Sequence, residues 1–141
     1  MDEDVQLVRR LMNAFNRRDV QDLLGCVDTD VQFFAPQTAS SVGREMMYSG
    51  HEGLRQYFAD VEKVWNTLQV TPEEFHSADG HVVAIGRVAG ELNGERVESE
   101  AAWAWKLRDG KAVWGRVYEK PADALMDTGF TQRPSPPVER N

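Results

Sequence analysis

The groups in this 141-residue chain that could carry chemistry include three histidines, one cysteine and a few well-placed serines and carboxylates. His76 and His81 flank the turn Ser77-Ala78-Asp79-Gly80, with Glu74 close by, so a hairpin there would set them face to face. Metal centres need a closed set of three or four donors at fixed geometry. Two histidines and a glutamate at a solvated hairpin tip are an incomplete set, and no metal is expected. His51 falls in the first turn of a helix, where unpaired backbone N–H groups gather, beside Tyr48. Histidine is the side chain suited to moving protons near neutral pH, so His51 is a candidate contact at a pocket mouth. Cys26 sits next to Gly25 among apolar residues, the setting of a buried inert thiol. Ser40-Ser41 has no base nearby, and no Gly-x-Ser-x-Gly, Walker-type or Gly-x-Gly-x-x-Gly motif occurs. Covalent catalysis is not expected, nor is any cofactor.

Charge narrows the partners. Sixteen Lys+Arg against twenty-three Asp+Glu leave a net charge of -7, and the longest basic cluster is Arg17-Arg18. Nucleic-acid binding draws on a basic face, so no nucleic-acid partner is expected. No apolar run approaches the length of a membrane span, and Met1-Asp2-Glu3-Asp4 is unlike a signal peptide. One cysteine permits no internal disulfide and fits a reducing cytoplasm. The expectation is one soluble, cytoplasmic domain with no membrane partner.

The elements that must position these groups change period halfway along the chain. Val5, Val8, Met12 and Phe15, with Leu7 and Leu11, recur at helical spacing after the acidic first turn Asp2-Glu3-Asp4. Asp19 reads as the N-cap of a short second helix carrying Val20, Leu23, Leu24 and Val27. Residues 31–34 read as a strand at a sheet edge, ended by Pro36, and residues 37–45 as a polar loop. Ser49 and Glu52 form a capping-box signature ahead of a third helix with the stripe Leu54, Tyr57, Phe58, Val61, Val64 and Trp65. Then Asp79-Gly80, Asn93-Gly94 and Asp109-Gly110 mark hairpins between strands over residues 68–76, 81–92, 96–107 and 111–119, which must pair antiparallel. Pro121 stops the last strand. A helical turn over residues 122–126 and a flexible Pro-rich tail over 128–141 follow, leaving residues 1–127 as the domain. The fold class is α+β: N-terminal helices packed on a curved antiparallel sheet, with a cone-shaped pocket between the layers.

That succession resembles the nuclear-transport-factor-2-like superfamily, and within it the SnoaL-like and ketosteroid-isomerase-like small proteins, which have a cystatin-like α+β barrel. The likeness spans residues 4–125. It is carried by the first helix with Arg18-Asp19-Val20, by Asp30-Val31-Gln32-Phe33, and by Tyr48-Ser49-Gly50-His51-Glu52-Gly53-Leu54. Asp109-Gly110-Lys111 leading into Val113-Trp114-Gly115-Arg116-Val117-Tyr118-Glu119 completes it. The resemblance implies a fold that hosts isomerases, cyclases, dehydratases, epoxide hydrolases and plain binding modules. Ketosteroid isomerases place a carboxylate base, a tyrosine and a protonated aspartate where this chain has Ala35, Leu11 and Trp103, so that mechanism is disfavoured. Limonene-epoxide-hydrolase-like members use Arg-x-Asp and a carboxylate at the end of the last strand. Arg87-Val88-Ala89 keeps the arginine and loses the aspartate, and Glu119 matches the final carboxylate, as it does for SnoaL-type cyclases. Glu119 and Arg87 are therefore the candidate catalytic pair.

Alternation makes that pair checkable. With Arg87 facing the cone, Val83, Ile85 and Ala89 face it too; with Glu119 inside, Val113, Gly115 and Val117 join it. Ser99, Ala101, Trp103 and Trp105 share one face of the third long strand. A carboxylate in such a cavity is pushed toward neutrality by desolvation and held charged by an adjacent arginine. Glu119 would abstract a proton while Arg87 stabilises the developing oxyanion. Trp103, Tyr57, Leu11, Phe15, Tyr48, His51 and Ser99 are the expected ligand contacts. The expected function is small-molecule binding with cofactor-free acid–base chemistry on an apolar cyclic or polyketide-like substrate. A binding module without catalysis, and an interaction domain whose own indoles fill the cone, are the alternatives. Trp114 and Tyr118 on the outer sheet face point to a homodimer through it.

Overall fold

Asp2 starts the first helix by accepting hydrogen bonds from the amides of Asp4 and Val5, two donors that lack partners inside the helix. A computed structural model describes residues 2–44, 47–92 and 94–130. In it α1 (Glu3–Asn16) buries Val8, Leu11, Met12 and Phe15 on one stripe. Arg18, at φ 57, turns the chain. Asp19 then caps α2 (Val20–Leu24) through the Asp22 amide.

Three features of the next stretch differ from the sequence reading. The first strand, β1 (Val27–Phe34), is longer than expected and is not an edge: it lies between β2 (Met47–Ser49) and the last long strand. The polar loop is mostly a short helix, α3 (Pro36–Ser41); Pro36 occupies its first turn, where a missing N–H costs nothing. Glu45, at the end of the expected loop, lies outside the described residues. The capping box does not form: Ser49 pairs with Gln32 in the sheet and makes no cap bond, and Glu52 bonds Arg55 instead. The long helix α4 (Gly50–Val64) begins at Gly50, whose φ of 72 suits glycine.

The second half follows its turns. Strands β3 (Trp65–Ala78), β4 (His81–Leu92), β5 (Glu95–Arg108) and β6 (Lys111–Tyr118) form the antiparallel meander. Asp79-Gly80 and Asp109-Gly110 both have positive φ at two successive residues, the geometry that matches the twist of paired strands. Asn93 of the third turn lies outside the described residues. The sheet order is β2-β1-β6-β5-β4-β3, and β1 runs parallel to β6, so the sheet is mixed rather than wholly antiparallel. It is curved and does not close into the expected barrel.

Helices pack on both faces of the sheet, over only part of the outer one. Helices α1, α2 and α4 bury the inner face with Trp103, Trp105, Val82 and Ala84. On the outer face α5 (Pro121–Asp127) packs Ala124 and Leu125 on Val83, Ile85, Ala102, Ala104 and Tyr118, and the Tyr118 hydroxyl donates to Asp127 at 2.8 Å. Thr128 caps α5, and Phe130 packs against the outer cluster; the rest of the expected tail, residues 131–141, lies outside the described residues. No helix among the described residues is long and apolar enough to cross a membrane.

Candidate functional site

Six aromatic rings converge where α1 and α4 cross the sheet. Tyr57 of α4 stacks on Phe15 of α1 at 5.9 Å and takes Phe33 of β1 edge-on at 4.9 Å. Phe33 in turn lies flat on Trp105, 5.6 Å away. With Leu11, Phe58 and Trp103 these rings line a chamber of about 40 Å³ that no charged residue among those described lines. A second space, of about 70 Å³, shares Tyr57, Val70, Trp103 and Val117 with the first and adds Gln37, Thr38, Ser99, Glu100 and Glu119. The two spaces adjoin at those four residues: the first is lined only by apolar and aromatic side chains, and the second, the mouth, partly by polar ones. Trp103 and Trp105 line the chamber and do not fill it. The indole of Trp105 fits because position 115 has no side chain: a Cβ there would lie 2.4 Å from its ring.

The polar atoms around the chamber differ in how they are satisfied. Tyr48 is buried, and its hydroxyl donates to Asp60 at 2.9 Å, while its ring meets Tyr57 edge-on at 5.2 Å. Trp65 donates its indole N–H to Thr38. Asp60 has no exposed surface and also accepts from Arg44 at 2.6 Å and Gln56 at 2.9 Å. Burial pulls the Asp60 pKa up, but these three donors outweigh it and hold the carboxyl below its ordinary value. Burial pushes Tyr57 up, so its phenol stays neutral; it has no hydrogen bond among the described residues. The N–H of Trp105 is also buried without a partner.

Of the expected contacts, Leu11, Phe15, Tyr57 and Trp103 line the inner chamber, and Ser99 and Glu119 stand at the mouth. Tyr48 lies behind Tyr57, and its hydroxyl is tied to Asp60. His51 is half-buried in the first turn of α4 and bonds the Val27 carbonyl at 3.2 Å, tying the helix to β1.

Arg87 is not brought to Glu119. The register pairs Ala84 with Trp103 and Val88 with Ser99, so even-numbered residues of β4 face inward and Arg87, with Val83 and Ile85, faces outward. One residue of parity decides this. Its physical source is the close approach of β3: a Cβ on Gly86 would lie 2.0 Å from the Thr71 carbonyl, so the glycines of β4 take the crowded inner positions. The arginine that does share a space with Glu119 is Arg116. Both line a cleft of about 220 Å³ on the outer side of the mouth, with Gln37, Tyr118 and Asp123. Arg116 lies against the rings of Phe34 and Tyr118, and its buried Nε has no partner among the described residues. Alternation with Tyr118 signalled an outward-facing Arg116; only the strand's end brings it beside Glu119. Asp60 was signalled too, by a carboxylate falling inside the apolar stripe between Tyr57 and Val61.

The remaining groups stay apart. His76 is opposite Val83 and His81 opposite Ala78, so the hairpin does not set the histidines face to face. His76 bonds Glu74 at 2.5 Å instead. Cys26 is fully buried, and burial raises its thiol pKa, which keeps it protonated and inert. The apolar outer face that suggested a homodimer is occupied in part by α5.

Comparison with known proteins places this geometry among others. A family model described as a SnoaL-like domain matches residues 8–114. The chain is similar to an uncharacterised protein of Mycobacterium tuberculosis, 30% identical over 131 residues, covering 92% of this chain and 96% of the relative. Among solved structures it is similar to an NTF2-like protein of unknown function from Burkholderia pseudomallei, with TM-score 0.77 and 24% identity over 89% of this chain and 97% of that one. TerC, co-crystallised with polyporic acid, superposes with TM-score 0.76 at 23% identity, over 89% and 97% of the two chains. A putative polyketide cyclase from Xanthomonas campestris pv. campestris gives TM-score 0.70 at 18% identity, over 88% and 95%.

Proposed function

The chain belongs to the SnoaL-like domain family, and on that premise we propose that it binds an apolar ring-bearing small molecule in the spaces between helices and sheet and moves a proton on it at the mouth. Glu119 is the base in this reading. The observation that carries it is the adjoining pair of spaces: an uncharged aromatic chamber shares Tyr57, Val70, Trp103 and Val117 with a mouth lined by Glu119, Ser99 and Gln37. Apolar walls with a few polar groups at one end are what a small-molecule site requires. A ring seated against Trp103 would present its rim to Glu119, and proton abstraction from a carbon acid needs a carboxylate within reach and no bound cofactor. Solved relatives co-crystallised with polyporic acid, or described as polyketide cyclases, agree with a cyclic, oxygenated substrate. Arg87 has no part in this reading, because it lies on the other face of the sheet.

A second reading, ligand binding without catalysis, is favoured by one feature: among the described residues no cation lines either chamber, and Arg116 reaches Glu119 only from the outer cleft. Proton exchange separates the two. With 1-tetralone in deuterated water, the wild-type chain should accelerate loss of the α-proton NMR signal, and Glu119→Gln should bind the ketone while exchange falls to the solvent rate. Binding without acceleration by the wild type would leave the binding module. No binding at all would remove both readings.

A further inference from the structure

The arginines of this chain divide by whether an acid meets them. Among the described residues Arg10, Arg17, Arg18, Arg44, Arg55 and Arg96 each pair with a carboxylate. Arg9, Arg87 and Arg108 do not, but they are exposed, and water serves them. Arg116 belongs to neither group. It is half-buried, it joins none of those pairs, and its Nε is shielded from solvent with no partner among the described residues. Its guanidinium is held against two rings instead, 5.8 Å from the centre of Phe34 and 5.3 Å from that of Tyr118. Buried charges are normally paired. Glu119 and Asp123 line the same cleft of about 220 Å³, yet neither pairs with it, so opposite charges share one space without meeting. We propose that this cleft binds a small amino acid, whose carboxylate seats on Arg116 and whose ammonium sits by Glu119 and Asp123. The inference goes beyond the reading of the aromatic chamber, because of that chamber's lining only Val117 reaches the cleft.

Each part of the ligand follows from a side chain. The guanidinium is a planar fork that matches a carboxylate with two hydrogen bonds at once. Partial burial removes competing water from it, and the two rings fix it beforehand, so less freedom is lost on binding. A bare anion would meet the cation but also two acids and a molecule of net charge -7. A bare amine would satisfy the acids and leave Arg116 unpaired. A ligand carrying both charges answers all three side chains and has no net charge to be repelled. Gln37 adds a side-chain amide to the lining. Size agrees: sites for drug-sized ligands span about 300–1,000 Å³, and this cleft is smaller.

The test follows the Arg116 Nε–H signal by NMR on the isotope-labelled full chain, identified by its loss in Arg116→Gln. Glycine, β-alanine and γ-aminobutyrate, which hold the two charges at increasing separation, are titrated beside acetate and methylammonium at matched ionic strength. At least one amino acid should shift the signal to saturation and bind about fivefold more tightly than acetate, the scale of two exposed ion pairs. In Arg116→Gln the same amino acid should no longer move the backbone amide signals of Glu119 and Asp123. Asp123→Asn should weaken the amino acid about threefold and leave acetate no weaker, since the lost charge attracts one ligand and repels the other. No saturation by any of the three amino acids up to about 100 mM overturns the proposal. Acetate binding as tightly as the best amino acid, or saturation by methylammonium alone, overturns it too. Asp123→Asn weakening both ligands equally has the same consequence. If Arg116→Gln does not fold, the exposed Asp123 variant and the wild-type titrations still decide.

Discussion

Gly115 and Asp60 show how residues that touch no substrate set the shape of the chamber. The Trp105 indole lies over Gly115 and flat on Phe33, and the chamber wall is the exposed edge of that stack. A methyl group at position 115 would meet the indole at 2.4 Å, inside any real contact distance, so the ring would have to move. Forcing extra volume into a packed core usually costs about 1–3 kcal/mol. Gly115→Ala should therefore lose about 2 kcal/mol in urea unfolding and weaken 1-tetralone binding severalfold, because the displaced indole takes ligand space. Retained affinity in a destabilised variant would show that Trp105 moves away from the chamber. Asp60 works from behind: its bonds to Tyr48, Gln56 and Arg44 join β2, α4 and the segment after α3, and Tyr48 then presses its ring on Tyr57.

At the scale of elements, α5 covers part of the outer face on which a second copy was expected. Its Leu125 and Ala124 cover Val83, Ile85, Ala102 and Ala104, the small and branched residues of the outer face. Leu125 is 2% exposed, so truncating it to alanine removes buried methyl groups and leaves a void. Leu125→Ala should cost about 2–4 kcal/mol in chemical denaturation, with α5 the first segment to lose amide protection in hydrogen exchange. Uniform loss of protection would show instead that α5 and the sheet unfold as one unit. The elements legible in the chain were those with a strong local signal: the stripes of α1 and α4 at helical spacing, and two Asp-Gly turns whose positive φ values fix their hairpins. What the chain hid depends on distant contacts. The parallel pairing of β1 with β6 joins segments about eighty residues apart and leaves no mark in either. Strand parity on β4 was equally silent, since Val82, Val83, Ala84, Ile85 and Gly86 are all buried and show no alternation. The helix α3 was too short and polar for periodicity to register, although Pro36 marked its start. The mouth residue Glu119 was reachable by resemblance to relatives, and its neighbour Arg116 was not.

The whole molecule is acidic, and its charges are arranged so that few matter to stability. We propose that copies pair through the part of the outer sheet face that α5 leaves open. Each copy carries a net charge of -7, so salt screens their mutual repulsion. Sedimentation should then show stronger self-association at high salt than at low salt, and a monomer at both would remove this pairing. Within one chain, Asp22 bridges Arg10 and Arg17 at the surface, where solvent makes such pairs weak. Asp60 differs, having no exposed surface and donors on three sides. Its pKa is lower in the folded chain than the 3.8 of a free carboxyl. A group with a depressed folded pKa adds stability that is complete above the unfolded value and is lost as pH falls through the folded one. The wild type should therefore hold its stability from neutral pH down to about pH 4 and lose part of it below, as protons compete with Arg44. Asp60→Asn keeps the shape, drops the charge and turns one acceptor into a donor facing donors. It should be less stable by about 2 kcal/mol at neutral pH, and the gap should narrow through the acid range because the variant has nothing there to protonate. Urea unfolding at a series of pH values measures both curves. Parallel curves would mean that the acid limb belongs to other carboxylates and that Asp60 acts by its shape alone.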